Sequence, residues 1–368
     1  MERTKVGIIG CGAISSNYLT NARTLPILEV VACADLDLER AQAKAAEFDV
    51  PRACTPAELI ADPEVELVLN LTIPAAHAPV ALAVIASGKH VYNEKPLATT
   101  RAAGMQVIQA AGERGVLVGC APDTFLGAGL QTARMAVDEG LIGRPVAFTA
   151  FMLGRGPESF HPSPEFFYEP GGGPMFDMGP YYLTTLLNLL GPVRRIQGAA
   201  AIELAERTIA TGPRAGASIP VSTPDHICGT LEFECGAVGT LITSFAIAHG
   251  EYDRKYPITL YGTEGALRVP DPNHFDGEVW VRRIEDTEWQ PVPHVVPAGY
   301  GRSIGLADLA YAIRSGRPHR ATGDQGLAVL DLMQGFLDSS ASGTAYTPAV
   351  PYQRPTPLPN LPFGHLDE

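Results

Sequence analysis

Lys95 has the residue type and the position to take part in proton transfer. It follows residues 90–93, which read as a short buried strand, and Pro96 restricts it to extended conformations. In an open parallel sheet, ligands bind just beyond the carboxyl ends of the strands, which is where Glu94 and Lys95 would stand. On residue types alone, a solvent-exposed Glu-Lys pair before a helix is the simpler interpretation, and the surrounding sequence must decide.

A second group of residues that could transfer or orient a proton lies near the middle of the chain. Pro180 suits the first turn of a helix over residues 181–190. In that helix the neighbours of Tyr181 at i+3, i+4 and i+7 are polar, whereas those of Tyr182 are mostly apolar. We therefore predict Tyr181 as a site residue and Tyr182 as core. Asp177 either caps this helix or orients a substrate hydroxyl or the Lys95 ammonium.

Short apolar strands alternate with helices in the first third of the chain. This alternation predicts an α/β fold with a doubly wound parallel sheet that closes near residue 121. The predicted strands are residues 6–9, 29–34, 66–71, 90–93 and 116–120.

A glycine-rich turn follows the first predicted strand. Its pattern, Gly10-x-Gly12-x-x-Ser15, resembles a dinucleotide-binding turn and leads into a predicted helix. Gly10 would permit the tight turn, and Gly12 would let the backbone approach a pyrophosphate. The N–H groups of Ala13 and Ile14, at the start of the helix, would face the anion. The motif alone is a weak signal, and the strand before it and the helix after it strengthen it.

Asp35 ends the second predicted strand, about 20 residues after the glycines, at the usual spacing for an acidic group that binds the adenosine ribose. A carboxylate at this position would repel a 2′-phosphate, so we predict NAD rather than NADP. Asp35 could also cap the helix over residues 36–48, and both roles can hold together. Arg40 either stacks on the adenine or is solvated, and it leaves NADP open as an alternative.

Composition argues against several classes of partner. The chain has 368 residues and a net charge of −13, whereas nucleic acids and anionic membranes bind basic surfaces. No apolar run approaches the length of a membrane span, and no signal-peptide region is visible. The six cysteines are scattered without a CxxC pair, so we predict reduced thiols and no metal site. These features predict a cytoplasmic enzyme.

Together, these motifs resemble the Gfo/Idh/MocA oxidoreductase family, named for glucose–fructose oxidoreductase, inositol dehydrogenase and a rhizopine-catabolism protein. The resemblance implies a Rossmann domain over residues 1–121. It also implies an α+β domain over residues 122–368 with a large, mainly antiparallel open sheet. The segments that carry the resemblance are the glycine-rich turn, Asp35, residues 72–77, residues 88–97 and residues 171–181.

The resemblance also implies roles for individual residues. Lys95 would be the catalytic-site lysine, and Glu94 would lie near the nicotinamide. Thr72 and His77 would contribute to cofactor binding, although Thr72-Ile73-Pro74 replaces the common Thr-Pro-Asn. Many members have His where this chain has Tyr181, and glucose–fructose oxidoreductase and some sugar dehydrogenases resemble it in using Tyr.

The second half of the chain predicts the open sheet and a long loop. The exposed face of the sheet must be covered, so we predict a homodimer or a homotetramer formed as a dimer of dimers. Residues 154–173 read as a loop long enough to be functional, and within it His161 and Tyr168 are candidate substrate contacts. A lone His in a proline-rich loop is more often a packing residue, and this alternative stays open for His161. The predicted strands are residues 145–153, 229–233, 237–245, 258–262, 266–269 and 278–283, and the predicted helices are residues 302–314 and 324–338.

The predicted reaction is hydride transfer between NAD and a secondary or anomeric hydroxyl of a sugar, polyol or related carbohydrate. Oxidising an alcohol needs a hydride acceptor and a base for the hydroxyl proton. We assign Tyr181 as that base, because a nearby Lys95 ammonium favours tyrosinate, and Asp177 would orient both groups. The roles of Tyr181 and Lys95 can be exchanged. Two alternatives stay open: NAD-dependent glycoside cleavage through transient oxidation, and a non-catalytic NAD or sugar sensor.

Overall fold

The structure is a computed structural model that describes residues 1–161 and 163–367. It divides into two compact units. The first comprises Met1–Gln131, Val295–Leu327 and the chain from Pro355 onward, and the second comprises Thr132–His294 and Ala328–Arg354. Parts of the C-terminal region therefore belong to the first unit. A single domain boundary at residue 121 does not describe this arrangement. The assignment of cofactor binding and substrate binding to the two sides of that boundary stays a prediction.

The regular elements are as follows. The helices are α1 (Ala13–Ala22), α2 (Leu38–Glu47), α3 (Pro56–Ala61), α4 (Pro74–Ala86), α5 (Arg101–Arg114), α6 (Ala128–Asp138), α7 (Gly173–Asp177), α8 (Gly179–Leu190), α9 (Ile304–Ser315) and α10 (Gly323–Ser342). The strands are β1 (Thr4–Ile9), β2 (Leu28–Ala34), β3 (Arg52–Cys54), β4 (Leu67–Asn70), β5 (His90–Asn93), β6 (Val118–Cys120), β7 (Pro145–Leu153), β8 (Val193–Ala201), β9 (Glu206–Thr208), β10 (Ser218–Pro220), β11 (His226–Phe233), β12 (Val238–Ser244), β13 (Ile258–Gly262), β14 (Gly265–Val269), β15 (Val279–Arg283) and β16 (Gln290–Val292).

The first unit is built on a parallel sheet whose described strands have the order β3-β2-β1-β4-β5-β6. The strand order reverses between β1 and β4, which is the point where such sheets bind ligands. This confirms the predicted doubly wound sheet. The prediction lacked β3, because a three-residue edge strand is too short to show a periodic pattern.

The start of α2 corrects one interpretation of Asp35. Helix α2 is capped by Asp37, whose side chain accepts the N–H of Arg40. Asp35 therefore does not cap this helix, and its carboxylate faces the glycine-rich turn instead.

The second unit contains a large sheet with the described order β16-β15-β14-β13-β7-β12-β11-β8. All neighbouring pairs are antiparallel except β7 and β12, which confirms the predicted, mainly antiparallel sheet. One face packs on α10, where a Cβ added to Gly229 would lie 2.8 Å from the ring of Phe336. The prediction lacked the nine-residue strand β8 and the short elements α7, β9, β10 and β16.

Across the described residues, no helix combines the length and the apolar character that crossing a membrane would take.

Candidate active site

The glycine-rich turn at the carboxyl end of β1 has the shape that a pyrophosphate needs. Gly10 has a φ of +103°, and a Cβ added to it would lie 2.6 Å from the carbonyl oxygen of Leu71. A side chain is therefore excluded both by the backbone conformation and by the neighbouring loop. At Gly12, by contrast, an added Cβ would meet nothing within 4 Å, and no side chain caps α1. The open space and the N–H groups at the start of α1 fit the pyrophosphate of NAD.

Asp35 lies beside this turn, at the end of β2. One of its carboxylate oxygens accepts the N–H of Cys11 at 2.8 Å, and the other accepts the N–H of Asp37 at 3.0 Å. Arg40 lies 3.7 Å from the carboxylate of Asp35 and 3.4 Å from that of Asp37. Asp35 thus fits the acidic residue of a ribose site. Arg40 is held by two carboxylates, which reduces its availability for a 2′-phosphate.

We expect Asp35→Asn to shift the cofactor preference toward NADP by about 10- to 100-fold, because the change removes a like charge from the 2′-phosphate. The amide keeps the shape of the side chain beside Cys11. The measurement is the ratio of kcat/KM for NAD to kcat/KM for NADP. Asp37→Asn is the matched control, since this residue also neighbours Arg40 but caps α2. An equal shift in both variants would contradict the assignment of Asp35.

Two asparagines at the ends of β4 and β5 tie the neighbouring loops together, and the sequence analysis missed both. The amide of Asn70 donates to the side-chain oxygen of Asn93 at 2.9 Å. Asn70 also accepts the hydroxyl of Thr72 at 2.7 Å and donates to the carbonyl of His77 at 3.1 Å. Their position after predicted apolar strands was a usable signal, because polar residues there face the ligand-binding edge.

His77 connects the loop after β4 to the turn after β5. It is buried, with Nδ1 2.6 Å from the carbonyl oxygen of Pro96 and Nε2 2.9 Å from that of Thr72. Burial lowers the pKa of His77, while the hydrogen bonds to the two carbonyl groups oppose this shift. Both ring nitrogens face backbone groups, so His77 supports the cofactor edge through its loops.

Glu94 and Lys95 stand at the carboxyl end of β5, as predicted. The Glu94 carboxylate accepts the hydroxyl of Tyr18 at 2.8 Å and the backbone N–H of Lys95 at 2.8 Å. Arg302 lies 3.6 Å from the same carboxylate. Lys95 is half-buried, whereas its neighbours from Val91 to Ala98 are buried. The turn thus fixes the backbone of Lys95 while leaving its side chain partly accessible. Neither Tyr18 nor Arg302 was a predicted site residue.

In the second unit, the structure places Asp177 and Tyr181 on α7 and α8. Asp177 is the last residue of α7, and the residue that caps α8 is Met178, which makes no side-chain cap hydrogen bond. Asp177 therefore does not occupy the N-cap position of α8. Tyr182 belongs to the core, as predicted, because it is buried and its hydroxyl donates to the carbonyl of Phe151 at 3.1 Å.

The predicted polar face of α8 is buried along its length. Tyr181 itself is 3% exposed, so any group it meets is shielded from bulk water. Three side-chain atoms at its helical neighbours have no hydrogen-bond partner within residues 1–161 and 163–367. They are Oγ1 of Thr184, Oγ1 of Thr185 and Nδ2 of Asn188. Buried polar atoms normally have partners, which makes this face a candidate for binding polar groups.

The two candidate substrate contacts in the long loop have different environments. Tyr168 is fully buried, and its hydroxyl donates to Glu158 and accepts Nε of Arg207 at 3.3 Å. Burial raises the pKa of Tyr168, and these contacts favour a structural role over substrate contact. His161 is only partly buried, and its ring centroid lies 5.5 Å from that of Phe166 in an edge-on arrangement. His161 therefore stays a predicted substrate contact.

Comparison with known proteins adds independent information. Residues 4–121 match the family model described as an oxidoreductase family with an NAD-binding Rossmann fold. Residues 130–268 match the GFO/IDH/MocA C-terminal domain. The first match lies within residues 1–121, and the second lies within residues 122–368.

Individual relatives cover most of the chain. It is 28% identical over 342 residues to the 1,5-anhydro-D-fructose reductase of Ensifer adhaerens, covering 92% of this chain and 97% of that enzyme. It is 25% identical over 291 residues to the levoglucosan dehydrogenase of Pseudarthrobacter phenanthrenivorans, covering 73% of each chain. A solved levoglucosan dehydrogenase in complex with NADH and L-sorbose has a TM-score of 0.82 at 21% identity, over 96% of this chain and 100% of that one. At that identity the structural similarity shows the fold alone.

Proposed function

Since the chain belongs to the Gfo/Idh/MocA family of NAD-binding oxidoreductases, we propose that it transfers hydride between NAD and a hydroxyl-bearing carbon of a carbohydrate. The observation that carries this proposal is the partly accessible Lys95, held by Glu94 at the carboxyl end of β5. The same edge of the sheet carries the glycine-rich turn and Asp35. The names of these two relatives support an anhydrosugar or a related carbohydrate as substrate.

The chain's own residues would supply binding and proton transfer. Bound NAD would supply the hydride acceptor. We assign Tyr181 as the group that takes the hydroxyl proton, Lys95 as a hydrogen-bond donor to the reacting oxygen, and Asp177 as the group that orients both. Tyr181 lies on a buried helix, which favours short, well-directed hydrogen bonds to a substrate. An exchange of roles between Tyr181 and Lys95 is the alternative.

The decisive experiment follows the absorbance of reduced nicotinamide. The purified protein is given NAD or NADP with levoglucosan, D-xylose, myo-inositol or a glycoside, and NADH or NADPH with 1,5-anhydro-D-fructose. Turnover of levoglucosan or inositol, which lack a free anomeric hydroxyl, would assign a ring hydroxyl as the reacting group. Cleavage of a glycoside without net NADH would replace the proposal by redox-assisted cleavage. Cofactor binding without any turnover on the panel would favour the sensor.

We propose that two copies of the chain associate through the outer face of the large sheet. Opposite the face that packs on α10, four threonines stand in register across neighbouring strands. They are Thr230, Thr240, Thr149 and Thr259. Thr230 is exposed and the other three are partly accessible. None of the four carries a charge, and a second copy related by a two-fold axis could place the same row against it. The assembly would be a homodimer, or a homotetramer built from two such dimers.

A charge placed in this row should separate the subunits. We expect Thr240→Arg to convert a particle of at least twice 39.0 kDa into one of 39.0 kDa, since an unpaired charge buried at an interface costs several kcal/mol. Light scattering coupled to size-exclusion chromatography measures this. Thr20→Arg, at an exposed position on α1, is the control and should leave the mass unchanged. A wild-type protein of 39.0 kDa would contradict the proposed assembly.

We also propose that the protein acts in the cytoplasm. Its cysteines are free thiols in the structure, and most of them are buried. Free thiols persist in reducing compartments, which supports this location.

A further inference from the structure

Arg302 reaches the active-site turn from a distant part of the sequence. Its guanidinium lies 3.6 Å from the carboxylate of Glu94, and both side chains are largely buried, at 14% and 9% exposure. The residue precedes α9, in a segment that returns to the first unit after the large sheet. A buried cation beside a buried carboxylate needs firm positioning, because both groups have lost their water.

The backbone next to Arg302 is held in an uncommon conformation. Ser303 has a φ of +95°, which is unfavourable for a residue with a side chain, and it is fully buried. The carboxylate of Asp123 accepts the N–H of Ser303 at 3.2 Å and that of Gly305 at 3.0 Å. The hydroxyl of Ser303 donates to the carbonyl of Tyr18 at 3.0 Å. Such a conformation persists only where the surroundings fix it.

Asp123 is itself part of the same buried group. Burial raises the pKa of Asp123 to about 6, whereas the guanidinium of Arg302 lowers it. Arg302 therefore acts electrostatically on two buried carboxyl groups, those of Glu94 and Asp123.

The C-terminal tail supports the segment from its other side. The ring of Tyr300 stacks on that of Phe363, with centroids 4.5 Å apart and planes inclined by 15°. The hydroxyl of Tyr300 accepts the N–H of Gly364 at 3.1 Å, and Tyr311 on α9 donates to the carbonyl of Gly364 at 3.2 Å. The tail thus fixes a residue two positions before Arg302.

We propose that Arg302 is a positioning residue for the reaction, acting through Glu94 on Lys95. One carboxylate oxygen of Glu94 faces Arg302 and the hydroxyl of Tyr18, and the other holds the backbone N–H of Lys95. A rotation of this carboxylate would therefore disturb all of these contacts together. Without the cation, the charge of Glu94 would be uncompensated next to Lys95 and would favour the protonated lysine. The proposal rests on the proposed dehydrogenase function.

Arg302→Met tests this proposal, with Arg314→Met as the matched control. Arg314 lies on α9, its side chain is 19% exposed, and it pairs with Glu66 at 2.7 Å. Glu66 immediately precedes β4, whereas Glu94 belongs to the turn that follows β5. We expect Arg302→Met to lower kcat by about 10- to 100-fold, the size of effect that misplacing a reacting group produces. The part of the kcat profile that reports the ionisation of Lys95 should also move to higher pH, while NAD binding is retained. Arg302→Lys should restore part of the loss, and Arg314→Met should change neither quantity.

A variant that keeps every charge covers the case in which Arg302→Met does not fold. Phe363→Ala removes the ring that stacks on Tyr300, and it should lower kcat in the same direction by a smaller factor. Unchanged kcat and an unchanged profile in a folded Arg302→Met protein would overturn the proposal. An equal loss in Arg314→Met would also overturn it, since the effect would then be general.

A measurement without substrate separates this proposal from the proposed function. The five lysines can be labelled by reductive ¹³C-methylation, and the Lys95 resonance is the one lost in Lys95→Met. In Arg302→Met we expect this resonance to titrate at higher pH while the others stay unchanged. If the wild type turned over no substrate, the proposed function would fail. The titration of Lys95 would still support or overturn its positioning by Arg302.

Discussion

Replacing Lys95 by Met is expected to lower kcat by about 10²- to 10⁴-fold, the range in which positioned proton-transfer groups contribute to catalysis. Met has a similar length and no charge, so it should preserve the packing of the turn. The backbone contacts at this turn, from Glu94 to the N–H of residue 95 and from His77 to the carbonyl of Pro96, do not involve the side chain of Lys95. We therefore expect NAD binding and thermal stability close to those of the wild type.

The matched control for this change is Lys89→Met. Lys89 lies just before β5, at the opposite end of the strand, and its ammonium donates to the carbonyls of Asp62 at 2.6 Å and Val65 at 2.8 Å. Losing these bonds should lower the free energy of unfolding by about 1 to 3 kcal/mol and leave kcat unchanged. Steady-state rates and thermal melting measure both effects. If Lys95→Met kept the wild-type rate, Lys95 would have no role in the chemistry.

The sequence was informative wherever a feature depends on neighbours along the chain. Gly10 could be identified because the turn that needs it lies between a strand and a helix that are both visible as local patterns. The carbonyl oxygen of Leu71, which a Cβ at this position would meet, comes from a distant loop that no local pattern reveals. The role of Asp35 could be predicted from its spacing to the glycines. Its hydrogen bond from the N–H of Cys11 could not be predicted, because that bond depends on how the glycine-rich turn folds back.

The supports of the site were missed because they are remote in sequence. Arg302 and Glu94 are separated by residues 132–294, the longer segment of the second unit, and a single sequence gives no register between such distant segments. Tyr168 shows the opposite problem, since a tyrosine in a loop rich in aromatic residues resembled a substrate contact. In the structure Arg207, from the short strand β9, lies over its ring and Glu158 accepts its hydroxyl. Short strands such as β9 carry too few residues to predict.

Two adjacent tyrosines on α8 allow the proposed proton acceptor, Tyr181, to be tested against a matched control, Tyr182. Tyr181→Phe is expected to lower kcat by about 10²- to 10⁴-fold and to remove the corresponding ionisation from the pH profile, because only the hydroxyl is lost. Tyr182→Phe removes the same atom from a side chain that donates to the carbonyl of Phe151. It should lower the free energy of unfolding by about 1 kcal/mol and leave kcat unchanged.

The combined results of the Tyr181 and Lys95 variants decide which group takes the proton. In one outcome, Tyr181→Phe lowers kcat and removes the ionisation from the pH profile, whereas Lys95→Met lowers kcat and only shifts that ionisation. Tyr181 would then be the proton acceptor, and Lys95 would be the group that tunes its pKa. If Tyr181→Phe kept its turnover and an unchanged profile, Tyr181 could not be the acceptor, and a loss in Lys95→Met would then assign that role to Lys95. In that case the buried hydroxyl on α8 would serve to bind and orient the substrate, since a group that only donates a hydrogen bond leaves the ionisation of the base in place.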